Sequence, residues 1–339
     1  MATQVRWIRA LASLDEVAEV LVLTPRHGRA DLPANVTVRV IPRGALAVRT
    51  LRTWREVLRW RRGRGLDLFY VAQGGRWPAM LLPLKVLLRR PIFQWKAQPH
   101  ISRGQRFAAR WCDDLVFTAT AGSFPSGLEN VRVVGHGIDT EQFRSTGAAI
   151  ERDLVVVGRI APSKRIEVVL TAVAAAEARL GRPLTLDLIG PVSGGDHGYR
   201  ADLEAMATGL GMDGEIRFLG SIEHDDVATR LPTYRASLNF SDNAFDKAAG
   251  EAMAAGVPVV TTNGCAAEML PEELRPSLVA GRDDPEAQVD RIVSVLRWSE
   301  DRRTEVGVEL RATIEQGHSL RTHFTKVLAE IAAHTARSR

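Results

Sequence analysis

FSDNAFDKAAGEAMAAGVPVVTTN, residues 240–263, is the stretch on which the fold turns. It leaves an apolar strand at Phe240 and Ser241, crosses a polar turn and enters a short helix with one acid, Glu251. Gly-Val-Pro then opens the next strand. The helix is expected to begin near Asp246, leaving backbone N–H groups of 244–248 partly unpaired and open to an anion. Gly250 costs about 1 kcal/mol against Ala inside a helix, which fits a place where something packs closely. The plain alternative is a helix capped by Asp246.

Working outward, the same alternation repeats. DLVVVG (153–158), LTLDLIG (184–190), EIRFLG (215–220) and ASLNFS (236–241) read as buried strands. Helical patterns at 166–180, 199–211 and 225–234 separate them. Short apolar strands alternating with helices define βαβ units around a parallel sheet, whose ligands sit beyond the strands' carboxyl ends. The turn at 242–246 lies in that place.

The first half is similar but less regular. Strands are expected at EVLVLTP, VTVRVIP, DLFYVA, PIFQW, DLVFT and VRVVG, and helices at 3–14, 48–62, 79–88 and 102–111. Two α/β domains follow, 1–148 and 149–318, with a long helical region from about 301 to 336 and a terminal helix, 319–339, expected to pack back on the first.

Bulk properties narrow the function. The chain has 339 residues, enough for two cores, and an ordinary 45% hydrophobic and 25% charged composition. No apolar run is long enough for a spanning helix, and the start lacks signal-peptide character, so a cytoplasmic location is expected. Cys112 and Cys265 stand far apart without zinc-like spacing, which fits a reducing compartment. Residues 1–140 carry 22 Lys+Arg against 10 Asp+Glu, or +12, and the remainder 23 against 30, or −7. VRTLRTWREVLRWRRGRG (48–65) sets Leu51, Trp54, Val57 and Leu58 at helical spacing among arginines. Such a helix suits an anionic membrane surface, peripheral at its inner face, or an anionic acceptor, and is equally well a half-buried surface helix. Nucleic acid is not expected, because no binding motif accompanies the charge.

Directly after the strand at 153–158 comes VVGRIAPSKR. Gly158 permits a tight turn, and Arg159 and Lys164 place two cations beside a helix start, an arrangement that suits a diphosphate. Taken alone, solvated loop cations explain it as well.

Together VVGRIAPSKR, DLIGP, RFLG, FDKAAGEAMAAGVPVVTTNGCAAE and VVGHGIDTEQF resemble the family 4 (group 1) retaining glycosyltransferases of the GT-B fold. The motifs come in that family's order over roughly residues 100–290. The resemblance implies two Rossmann-type domains with parallel sheets facing a central cleft, and a nucleotide-diphosphate sugar as co-substrate, with no other cofactor and no metal. It assigns Arg159 and Lys164 to the diphosphate, with Gly158 in the same loop, and Glu251 to the ribose. Asn243, Ala244, Phe245, Asp246 and Lys247 would hold the donor sugar and phosphate. His100, in FQWKAQPHIS, matches the family's histidine near the donor sugar. GHGID (135–139) matches an architectural turn near the domain junction.

Two departures stand out. The family carries two Glu residues separated by seven others, and the first position here is Asn243, an amide without charge. The first domain also lacks the family's opening strand and Gly-rich loop, because the chain begins at what reads as the following helix. A reading frame that starts upstream, or a truncation, is the expectation from this. The function implied is transfer of a sugar, with retention, to a glycan or lipid-linked acceptor. The alternatives are a nucleotide-sugar epimerase or hydrolase on the same architecture, and a donor-binding partner without turnover in a polysaccharide-assembly complex. No G-x-G-x-x-G follows a strand, so a dinucleotide dehydrogenase is not expected.

Overall fold

The structure is a computed structural model; it describes residues 2–337 apart from 27, 29, 73–76, 98–100, 194–196, 213–214 and 243–245. The chain divides into two compact units: Met1–Ala119 with Phe124–Gly137 and Leu320–Arg339, and Thr120–Ser123 with Ile138–Ser319.

The first unit opens with α1 (Ala2–Ala12), β1 (Val20–Thr24), β2 (Val36–Val40) and α2 (Leu46–Arg64). It continues through β3 (Phe69–Ala72), α3 (Trp77–Leu88), β4 (Ile92–Trp95), α4 (Arg103–Trp111), β5 (Leu115–Thr118) and β6 (Val131–Val133). Every pairing is parallel, but the strands fall into two sheets, β1-β2 and β3-β4-β5-β6. Among the described residues no strand lies between β1 and β3 to join them, so the first unit is a split Rossmann-like sheet. Val57 of α2, Phe69 and Val71 of β3, and Leu81, Leu84 and Leu88 of α3 form a core against which Leu23 of β1 packs. α4 begins with a capping box: Gln105 N–H donates to Ser102 Oγ, and Ser102 N–H to Gln105 Oε1. Asp113, just after α4, is buried, and burial pushes its carboxyl up to about 7 against the pull of Lys96 and Lys85.

The second unit runs β7 (Arg152–Val157), α5 (Ile166–Leu180), β8 (Leu186–Ile189), α6 (His197–Gly209), β9 (Ile216–Gly220), α7 (His224–Arg230), β10 (Tyr234–Asn239), α8 (Lys247–Ala254) and β11 (Val259–Thr261). Helices α9 (Gly264–Met269), α10 (Arg275–Leu278), α11 (Pro285–Leu296) and α12 (Glu300–Gly317) complete it. Its five strands are parallel in the order β11-β10-β7-β8-β9. The residues of β8 are all buried, and so are those of β11, because helices cover both faces; hence the continuous apolar runs. The chain winds outward from β7 to β9 and then returns to the other side of β7 with β10. β7 and β10 therefore flank a topological switch point, where ligands of open α/β sheets bind.

The helical region expected from 301 to 336 breaks at His318 and Ser319. Ser319 bridges in parallel to Ile138, and His318 O accepts from Ile138 N–H at 2.7 Å, which ends α12. The chain then returns to the first unit as α13 (Leu320–Arg337). Among the described residues no helix is long and apolar enough to cross a membrane.

Candidate functional site

The site is built at the carboxyl ends of β7 and β10. After β7 the chain turns at Gly158 (φ +152°), passes Arg159, and forms a 3₁₀ turn, Pro162–Lys164. A Cβ on Gly158 would stand 2.8 Å from Lys164 Cε and 2.9 Å from its Nζ, so the glycine makes room for the lysine stem to fold back across the loop. Arg165 (φ +49°) then starts α5.

After β10 come Phe240, Ser241 and Asp242, and Asp246 then precedes α8. Asp246 stands at the N-cap position of α8, but its side chain does not bond the helix N–H groups. Instead its Oδ2 takes an ion pair from Lys164 Nζ and a hydrogen bond from Asn239 Nδ2 at 2.7 Å. Lys164 and Asp246 are 8% and 7% exposed, so the pair is held in a low-dielectric place. Asn239 is fixed in turn by Thr261 Oγ1, which donates to its side-chain Oδ1 at 3.1 Å. A second tie joins the same two loops: Asp242 N–H donates to Ser163 O at 2.9 Å. Arg282 grips the Asp242 carboxylate through Nε at 2.8 Å and Nη2 at 3.0 Å, and Arg165 Nη1 donates to Arg282 O at 3.1 Å.

Glu251, in the second turn of α8, is buried. Its Oε1 meets Lys247 Nζ at 2.8 Å and His224 Nε2, at the start of α7, at 3.0 Å. Burial pushes the Glu251 carboxyl up, but the His224 hydrogen bond and the Lys247 charge outweigh it and hold the group below the usual carboxylate range. Glu251 is thus an ionised, acceptor-only group at neutral pH.

Of the residues singled out by sequence, Gly158, Lys164, Asp246, Lys247 and Glu251 cluster at this edge of the sheet. Arg159 belongs to the same loop but is exposed, its Nη1 3.5 Å from Ser193 Oγ. Asn243, Ala244, Phe245 and His100 lie outside the described residues. Sequence reasoning missed His224, Asn239 and Arg282. Their partners stand 27, 7 and 40 positions away, and no local spacing signals such pairings. The GHGID segment is architectural as read, with Asp139 Oδ1 accepting from Gln142 N–H at 3.0 Å.

Comparison with known proteins bears on the fold. HepE of Anabaena, crystallised with UDP, has a TM-score of 0.77 at 18% identity, with 98% of this chain and 96% of that one covered. HepE with UDP-glucose gives 0.76 at 17% identity, again over 98% and 96%. Sucrose-phosphate synthase of Thermosynechococcus elongatus gives 0.76 at 14% identity over 98% and 92%. The fold is that of the GT-B glycosyltransferases. Residues 151–297, most of the second unit, match the family model of the glycosyl transferases group 1. No curated protein matches the sequence.

Proposed function

We propose that this protein is a retaining glycosyltransferase whose second unit binds a nucleotide-diphosphate sugar. The observation that carries the reading is the double tie from the Gly158–Arg165 loop to Asp242 and Asp246, on either side of the step from β10 to α8, through Lys164–Asp246 and Ser163–Asp242. It sets a basic side chain and the N-terminus of α8 together at the switch point between β7 and β10.

In this reading Lys164 and Arg159 take up the diphosphate. An ammonium has three donors, and Asp246 occupies one while fixing the direction of the others. Glu251, ionised and oriented by Lys247 and His224, accepts from the ribose hydroxyls. Asp246 and Lys247 serve the distal phosphate; the family resemblance assigns residues 243–245 and His100, which lie outside the described residues, to the donor sugar. As the nucleoside diphosphate leaves, the two cations and the α8 N–H groups neutralise the charge that develops on it, so the chemistry requires no metal. UDP is the first nucleotide to test, because HepE was crystallised with it. The acceptor is a glycan or a lipid-linked sugar. The exposed arginines of α2, residues 48–64, support contact with an anionic acceptor.

Calorimetry with UDP and UDP-glucose, followed by transfer assays with the anomeric configuration of the product read by NMR, tests this. Glu251→Gln is expected to weaken UDP binding about 10- to 100-fold, the worth of a hydrogen bond to a charged group. Wild-type UDP affinity in that variant, or inversion in the product, overturns the proposal.

A further inference from the structure

We propose that the first unit docks on an anionic lipid bilayer through the outward face formed by the C-terminal ends of α3 and α4. Residues 68–112 contain eight Lys and Arg, at 76, 85, 89, 90, 96, 103, 106 and 110, and no Asp or Glu. The parallel order β3-β4-β5 with right-handed crossovers places α3 and α4 side by side on one face of the sheet. Lys85 fixes their ends together: its Nζ donates to Cys112 O at 3.0 Å and pairs with Asp114 at 2.6 Å.

Beyond that tie the surface is apolar. Val86 and Leu87 of α3 are 71% and 69% exposed, and Phe107 and Trp111 of α4 are 59% and 63% exposed. Phe107 and Trp111 stand four residues apart and so share one side of their helix. Ala79 and Pro83 extend the exposed stripe along α3. Arg110 lies over the Trp111 ring, 5.3 Å from its centroid. Arg89, Arg103 and Arg110 are exposed, and none forms an ion pair among the described residues.

Scattered surface apolar groups are ordinary; a group of four large ones set among cations in an acid-free segment is not. Aliphatic and aromatic side chains that enter the acyl boundary, ringed by arginines that meet lipid phosphates, make up interfacial membrane chemistry. Nucleic acid would use the arginines but leave Val86 and Leu87 in water. The basic helix α2 is less suited, because Glu56 is paired with Arg39, Arg55 and Arg59, and Glu19 with Arg64. α3 and α4 end where β4 and β5 begin, so docking here leaves the carboxyl ends of the first unit's strands turned away from the lipid.

The inference is independent of the transfer reaction, and its test reads lipid binding alone. The full chain is floated with vesicles of phosphatidylcholine, with and without phosphatidylglycerol, at low and high salt. Binding is expected only with phosphatidylglycerol and is expected to fall with salt. Phe107→Ala/Trp111→Ala is expected to reduce partitioning at least 10-fold. Arg89→Gln/Arg103→Gln/Arg110→Gln is expected to reduce it about 100-fold. All these positions are exposed, and unchanged circular dichroism checks the fold. Absence of binding to phosphatidylglycerol vesicles, or wild-type binding by both variants, overturns the proposal. So does loss of binding only on Arg52→Gln/Arg55→Gln in α2, or equal capture of duplex DNA that is insensitive to the aromatic variant.

Discussion

Replacing Lys164 by Ala tests the centre of the site. The side chains of Lys164 and Asp246 are only 9% and 8% exposed, and Asp246 Oδ2 has two partners, Lys164 and Asn239. Removing the ammonium leaves a buried carboxylate with one neutral amide donor. Breaking a buried pair on one side costs about 3–5 kcal/mol. The alanine variant is expected to lose that much in urea unfolding at neutral pH. Lys164→Ala/Asp246→Asn removes both charges, and an amide at 246 still bonds Asn239, so most of the loss is expected to return, leaving a deficit of about 1 kcal/mol. UDP affinity should not return with it, because the cation remains absent. The assay is therefore a double-mutant cycle read twice, by unfolding and by calorimetry. A Lys164→Ala variant within about 1 kcal/mol of wild type refutes the buried-pair argument. A double variant that binds UDP as wild type does refutes the diphosphate role.

Three further outcomes are expected. Gly158→Ala should fold but lose about 1–3 kcal/mol to strain at φ +152°, and its nucleotide affinity should fall as the new methyl displaces Lys164. Gly190→Ala should yield no soluble folded protein, because its Cβ would stand 1.9 Å from the Gly158 carbonyl oxygen, backbone that has nowhere to go; equal melting temperatures for the two variants would contradict both readings. Asp113, with its carboxyl at about 7 in the native state, binds a proton there that the unfolded chain releases above its ordinary value of 3.8. Stability should therefore decline as pH rises through that window. Asp113→Asn should remove the decline, gaining about 4 kcal/mol at pH 8 and little at pH 4, and parallel pH–stability curves would refute it.

The second unit was readable because its strands are covered on both faces and announce themselves as apolar runs; α5 falls at 166–180 as its pattern requires. In the first unit the order of elements was also legible, but the separation of β1-β2 from β3–β6 depends on which strands find partners, which periodicity does not state. At the candidate site, Gly158, Lys164 and Glu251 were singled out from motif and loop chemistry, and the fold brings them to one edge of the sheet. That Asp246 would turn from the helix N–H groups to Lys164 was not, because the choice is made by a residue 82 positions away. His224 was invisible for a like reason: nothing in EHDD distinguishes a histidine that orients Glu251 from an ordinary surface one.

That separation of 82 positions also governs when the site comes into being. Lys164 and Asp246 meet only after the chain has laid down β8 and β9 and doubled back to set β10 beside β7, so no early fragment of the second unit contains the pair. A small molecule seated there recognises completed chains alone. At a hundred times its dissociation constant it would deepen the native well by about 2.7 kcal/mol, enough to rescue marginal variants during their maturation.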